Sequence, residues 1–277
     1  MQNIGYYNGE VAPLEELKIP ALDRAVYFGD GCYEALYLVN GVLFALEEHL
    51  DRFYNSCRLL KIQFPLNREE LKAELQKVVD VAGAKYAGML YWQASRGTYW
   101  RGHAFPPAEV KPNLLIFARP CPLDPFHKRL KLISLEDTRF LHCNIKTLNL
   151  LPSVMANQEA HARGCDEAVL HRGPRVTEGS HSNVLILQNG TLRTAPISES
   201  KCSEVSQTRI DTTFAGHIHD TGTVDNSSSA LFLDKVTIYQ KTRKRSRDEA
   251  KKDCLEYKTM KEPQFVVDIM LNIPAVS

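Results

Sequence analysis

The run "CNIKTLNLLPSVMANQEAHARGCDEAVLHRGPRVTEGSHSNVLILQNG", from Cys143 to Gly190, decides the fold of this chain. It reads as strand, helix, strand, turn and strand. Asn149 to Arg163 has the length and apolar spacing of a helix, and Gly164 supplies its stop. Gln188, Asn189 and Gly190 form a hairpin turn. Lys146 is the one charged residue in an otherwise apolar or small-polar segment, at the end of an expected strand. A lysine held among apolar neighbours has a depressed pKa and keeps a free amine, the form that attacks a carbonyl. Glu178 falls between Thr177 and Gly179, just before a further strand, and offers a carboxylate that suits a ring nitrogen kept protonated. Taken without context, the same residues also fit a solvated lysine at a strand end and a glutamate in a turn.

Upstream, Tyr6 to Val11 reads as a hairpin around Asn8-Gly9, because Asn-Gly favours the type I′ turn. Cys32 to Val39 and Val42 to Ala45 read as strands joined by a second such turn at Asn40-Gly41. Leu50, Phe53, Tyr54 and Cys57 recur at helical spacing, which predicts a helix over Glu48 to Leu60 with Arg52 off that stripe. Asn67 with Glu70 forms a capping box that opens a second helix, apolar at Leu71, Leu75, Val78 and Val79 and closed by Gly83. Met89 to Ser95 and Leu114 to Ala118 read as further strands. The proline-rich "PCPLDPFHK", Pro120 to Lys128, is the expected linker. The domains are therefore expected at 1–120 and 133–277, with a linker over 121–132.

The 277 residues suffice for one large or two moderate domains. Hydrophobic residues at 44% and charged residues at 24% are ordinary for a soluble globular enzyme, and a net charge of +1 argues against nucleic acid or an anionic membrane as partner. The seven cysteines are scattered without a Cys-x-x-Cys pair, so neither a disulfide framework nor a zinc site is indicated and no metal is expected. Reduced thiols and the lack of a leader or membrane-length apolar run suggest the cytoplasm.

The segments "CNIKTLNLL", "QEAHARGCDEAVLH" and "VTEGSHSNV", in that order, resemble the fold-type IV pyridoxal-phosphate-dependent aminotransferases, and "DRAVYFGDGCYE" and "EEHLDRFYNS" extend the likeness toward the N-terminus. The resemblance implies an α/β (α+β) chain of two domains, a small N-terminal α/β domain and a larger β-rich C-terminal one, acting as a homodimer. It further implies that Lys146 binds pyridoxal 5′-phosphate covalently and moves the substrate proton, that Glu178 pairs with the cofactor's ring nitrogen, and that Arg52 contacts its phosphate. A surface arginine paired with Glu47 or Glu48 is the plainer reading of Arg52. "RGTYWRGHAFP", Arg96 to Pro106, is similar to the D-amino-acid aminotransferase form of this segment. There an arginine and a histidine reach across the dimer interface and, with a tyrosine, trap the substrate carboxylate. The matching residues here are Arg101, His103 and Tyr33. A loop arginine, a turn histidine and a core tyrosine are the alternatives.

The likeness implies transamination of D-alanine or similar D-amino acids with a 2-oxo acid; an aminodeoxychorismate lyase or a branched-chain aminotransferase is the alternative within the family. It covers about residues 4–196 and then stops. Where the family has a Gly-Ile-Thr-Arg turn on the cofactor phosphate, this chain has "KCSEVSQTRID", with only Thr208-Arg209 as an echo. Asn226 to Ser229 is serine-rich in different surroundings. Gln240 to Asp253 is a dense mixture of charges, which reads as a solvated helix or disorder, and Phe265 to Leu271 is the one late apolar run. A catalytically impaired remnant that binds cofactor weakly is the reading this departure favours.

Overall fold

The computed structural model describes residues 2–83, 87–122, 130–188, 191–195, 223–225, 237–238 and 264–268. They fall into two units. Among the described residues, 2–122 with 145–149 form the first; 130–144 with the residues from 150 onward form the second.

The first unit is an antiparallel sheet with helices packed on one face. Its elements are β1 (Ile4–Tyr7), β2 (Glu10–Pro13), α1 (Arg24–Phe28), β3 (Gly31–Val39), β4 (Val42–Leu43), α2 (Leu46–Leu59), α3 (Arg68–Ala82), β5 (Ala87–Ser95) and β6 (Asn113–Pro120). The six strands lie in the order β2-β1-β6-β5-β3-β4. Both Asn-Gly turns adopt the left-handed backbone that a type I′ hairpin requires, with φ of 48° and 104° at Asn8 and Gly9, and 50° and 80° at Asn40 and Gly41. Alternation along β3 and β5 buries Cys32, Leu36, Leu38, Leu90 and Trp92, which meet Leu50 and Phe53 of α2 and Leu71, Leu75 and Val78 of α3. The capping box is present: Glu70 N donates to Asn67 Oδ1 at 3.0 Å, and Asn67 N donates to Glu70 Oε2 at 2.7 Å.

The second unit contains β7 (Lys131–Glu136), α4 (Leu151–Ala162), β8 (Glu167–Arg172), β9 (Arg175–Gly179), β10 (Asn183–Gln188), β11 (Thr191–Thr194), β12 (Thr223–Asp225), β13 (Thr237–Ile238) and β14 (Gln264–Asp268). Two four-stranded sheets run β13-β7-β8-β9 and β12-β11-β10-β14. β7 and β8 are parallel, which demands a crossover, and α4 lies in that connection. Ala160 and Ala156 of α4 pack on Ala168, Leu170, Ile133 and Leu135. The late apolar run at 265–271 contributes most of β14, antiparallel to β10.

The mixed α/β architecture agrees with expectation; three local details differ. Lys146 does not end a strand. The segment 145–149 makes one isolated bridge, Thr147 to Cys32, on the stretch of β3 that short β4 leaves uncovered. Glu178 lies inside one strand, β9, as well as preceding the next, β10. Arg52 is buried, so the surface pairing with Glu47 or Glu48 does not describe it. Asn189-Gly190, residues 123–129 of the expected linker, Thr208-Arg209, Asn226 to Ser229 and Gln240 to Asp253 lie outside the described residues.

Candidate active site

Lys146 is positioned by its backbone. Tyr33 N donates to Lys146 O at 3.0 Å, and Leu148 N donates to Gly31 O at 3.1 Å, so the lysine segment is stitched to the start of β3. This close approach depends on Gly31, where a Cβ would overlap the Ala94 carbonyl and the Leu148 side chain. Lys146 is half-buried as a residue, and its amine stands over the ring of Tyr33, with Nζ 4.5 Å from its centroid. Tyr33 in turn stacks on Tyr91 at 5.5 Å, and Tyr91 on Phe117 at 4.6 Å. Alternation places this aromatic ladder on the face of the sheet opposite the helices. The structure therefore brings together Lys146 and Tyr33, two of the residues singled out from sequence.

Arg52 is committed to a buried carboxylate. Its Nε and Nη2 donate to the two oxygens of Glu34, each at 2.6 Å, a bidentate fork. His49 Nδ1 lies 2.7 Å from Glu34 Oε2. Burial by itself would push the Glu34 carboxyl up, but the charge and hydrogen bonds of Arg52, with help from His49, outweigh it and hold the group at about 2. Burial moves His49 the other way, below the usual histidine range, and the positive charges of Arg52 and Lys146 add to the effect while Glu34 opposes it. The result is an arginine fixed in direction with its own counter-ion.

Glu178, in the second unit, is buried and ion-paired with Arg139. Arg139 also forks onto Asp137, with Nε 2.9 Å from Oδ1 and Nη2 2.8 Å from Oδ2. Thr177 Oγ1 and Arg172 Nε donate to the same aspartate, at 3.0 and 3.2 Å. Desolvation raises the Asp137 carboxyl, yet its bonds to Arg139 bring it down to about 2. The turn that follows Glu178 is pinned from inside by Glu167. His181 N donates to Glu167 Oε1 at 2.9 Å and Ser182 Oγ to Oε2 at 2.9 Å, while Gly179 leaves room for both. Arg139, Asp137 and Glu167 were not anticipated. Asp137-x-Arg139, just ahead of the lysine run, was a findable signal because extended chain puts alternate residues on one side; Glu167 gave none.

Arg101 and His103 gather elsewhere in the first unit, on Phe28. Arg101 Cζ lies 5.0 Å from the centre of that ring, and the His103 ring lies 5.1 Å from it. Both are exposed. Beside them a pocket of about 270 Å³ is lined by Arg24, Phe28, Asp30, His103, Phe105 and Asn149, among others. Tyr33 is not in its wall, so the three residues expected on a substrate carboxylate form two groups, Tyr33 with Lys146 and Arg101 with His103. Among the described residues no three His, Cys, Asp or Glu side chains are placed to hold a metal, and no helix is long and apolar enough to cross a membrane.

The chemistry of these groups fits pyridoxal phosphate. A lysine amine on an aromatic ring can take up an aldehyde, and a buried carboxylate braced by arginine can face a protonated ring nitrogen.

Residues 31–202 match the profile of amino-transferase class IV. The D-alanine aminotransferase of Staphylococcus aureus (strain MSSA476) is 38% identical over 194 residues, 69% of this chain and 68% of that protein. Among solved structures, the 4-amino-4-deoxychorismate lyase of Pseudomonas aeruginosa is 28% identical, with a TM-score of 0.64 over 76% of this chain and 77% of its own. The branched-chain aminotransferase of Thermoproteus uzoniensis, solved with norvaline, shares the fold at 22% identity, with a TM-score of 0.69 over 80% and 78%. The match over residues 31–202 and the 38% identity across two thirds of both chains place this protein in the class IV aminotransferase family, as a transaminase.

Proposed function

We propose that the chain is a pyridoxal-phosphate-dependent D-amino-acid transaminase that moves the amino group of D-alanine or a similar D-amino acid to a 2-oxo acid. The single observation that carries the reading is the Lys146 amine held over Tyr33 by backbone bonds to β3. Its choice of substrate is supported by the D-alanine aminotransferases at 38% identity.

When bound, the cofactor supplies an aldehyde that captures the amino group and a ring that accepts the electron pair left at Cα. The protein's own residues do the rest. Lys146 removes the proton from the substrate Cα and returns one in the reverse half-reaction. Glu178 keeps the ring nitrogen protonated, and its ion pair with Arg139 holds the carboxylate in direction. Arg52, fixed on Glu34, offers a directed positive charge to the phosphate. Arg101, His103 and Tyr33 hold the substrate carboxylate, which decides the face of Cα presented to Lys146. A homodimer in the cytoplasm, in which Arg101 and His103 serve the partner's substrate, belongs to the same proposal, as does the division into domains at 1–120 and 133–277.

The test is to load the purified chain with pyridoxal phosphate, reduce it with borohydride and map the modified peptide. Label on Lys146 together with transfer from D-alanine to 2-oxoglutarate is the expected result. Label on Lys146 with release of pyruvate and p-aminobenzoate from aminodeoxychorismate, and no D-alanine turnover, favours the lyase reading suggested by the 28% identical solved structure.

A further inference from the structure

α1 is a single turn of helix, yet it grips the Tyr99–His103 loop at several points. Asp23 caps it, accepting from Ala25 N at 2.9 Å, and Gly29 ends it in the left-handed conformation. Arg24 and Phe28 stand four residues apart and so share one face, with Arg24 Cζ 4.9 Å from the Phe28 centroid. Tyr27 Oη donates to Tyr99 O at 2.5 Å, and Tyr99 N donates to Leu22 O at 3.0 Å. Arg24 Nη1 donates to the carbonyl of Gly102 at 2.9 Å, the residue between Arg101 and His103.

The energetics of Arg24 are unusual for a purely structural group. It is only 3% exposed, and a buried guanidinium costs several kcal/mol unless well paired. Its Nε has Asp30 at 2.7 Å, but that carboxylate is shared with Arg96 Nε at 2.9 Å. The other bond of this buried charge reaches an exposed loop carbonyl rather than the core. Such a bond fixes the loop's direction, and Phe28 gives Arg101 and His103 a common flat surface on which to rest.

We infer that Arg24 and Phe28 are positioning residues that hold Arg101 and His103 in the orientation needed to take a substrate carboxylate. The inference rests on the transaminase reading above. A lysine at position 24 keeps the charge but cannot serve both Asp30 and Gly102 in the same fork. A leucine at 28 keeps the apolar volume but removes the ring on which the two cationic side chains lie.

The test compares Arg24→Lys, Phe28→Leu and Arg101→Ala in the cofactor-loaded enzyme, with D-alanine and with D-alaninamide, which lacks the carboxylate. Calorimetric binding of pyruvate to the aldehyde form gives a readout besides turnover. Arg24→Lys and Phe28→Leu are each expected to raise KM for D-alanine and Kd for pyruvate by about tenfold, the worth of one charge-assisted contact, with kcat nearly unchanged. D-alaninamide turnover should stay the same in both. If Arg101→Ala weakens D-alanine and pyruvate while both other variants leave them unchanged, the positioning role is overturned and the transaminase reading stands. Equal losses with D-alanine and D-alaninamide overturn it too, since they mark general structural damage. If Arg101→Ala itself changes neither ligand, the carboxylate grip is wrong and the inference falls with it.

Discussion

The two units solve the same electrostatic problem with opposite signs. In the first, a carboxylate sits between two basic side chains, Glu34 with Arg52 and His49. In the second, an arginine sits between two carboxylates, Arg139 with Asp137 and Glu178. In each case the group expected on the cofactor, Arg52 or Glu178, is buried and held by a counter-ion that comes from a different element of the same unit. The lesson is that the residue that meets a ligand is only half of such a site. A buried charge must be paired to be tolerated, and the pairing also fixes where it points.

The largest expected effect removes the amine itself. Lys146→Ala should lower turnover about 10⁴-fold, the upper range for losing a positioned general base, and abolish borohydride labelling at that position. Labelling retained on another lysine in this variant would sink the assignment of the amine to Lys146. Next come the two pairs. Glu34→Gln and Arg139→Met each strand a buried charge, and each should destabilise its own unit by about 3–5 kcal/mol in urea unfolding. Glu34→Gln should weaken retention of cofactor, and Arg139→Met should lower kcat by releasing the Glu178 carboxylate from the ion pair that fixes its direction.

Acid should separate the units further. Glu34 is held at about 2 in the folded unit against 4.5 unfolded, so its contribution is complete above about 4.5 and lost as pH falls toward 2. His49, lowered from 6.5, adds a contribution that is present above that pH and lost below it. Asp137 is held at about 2 against 3.8, so the second unit loses its contribution only between those values. The first unit should therefore weaken at higher pH than the second. Both tryptophans of the chain, Trp92 and Trp100, belong to the first unit, so their fluorescence follows it alone, while amide exchange in β8 and β9 follows the other. Coincident acid transitions would break the contrast. The smallest effect is local to the first unit: Asn67→Ala removes one half of the capping box and should cost about 1 kcal/mol.

The sequence by itself determined what depends on near neighbours. The Asn-Gly hairpins, the α2 stripe at Leu50, Phe53 and Cys57, and the Asn67–Glu70 box were legible because turn chemistry and helical periodicity act over a few residues. Lys146 and Glu178 stood out through their flanking segments, which resemble a known family. The tertiary structure alone decided the partners. Glu34 meets Arg52 across 18 positions, Arg139 meets Glu178 across 39, and Arg24 meets Gly102 across 78. No local period links such residues. They come together because β3 lies against α2, β7 leads toward β9, and α1 folds beside the Tyr99–His103 loop. It also decided that Lys146 leaves regular structure. The short reach of β4 leaves an edge of β3 open, and only packing could show that the lysine segment would occupy it.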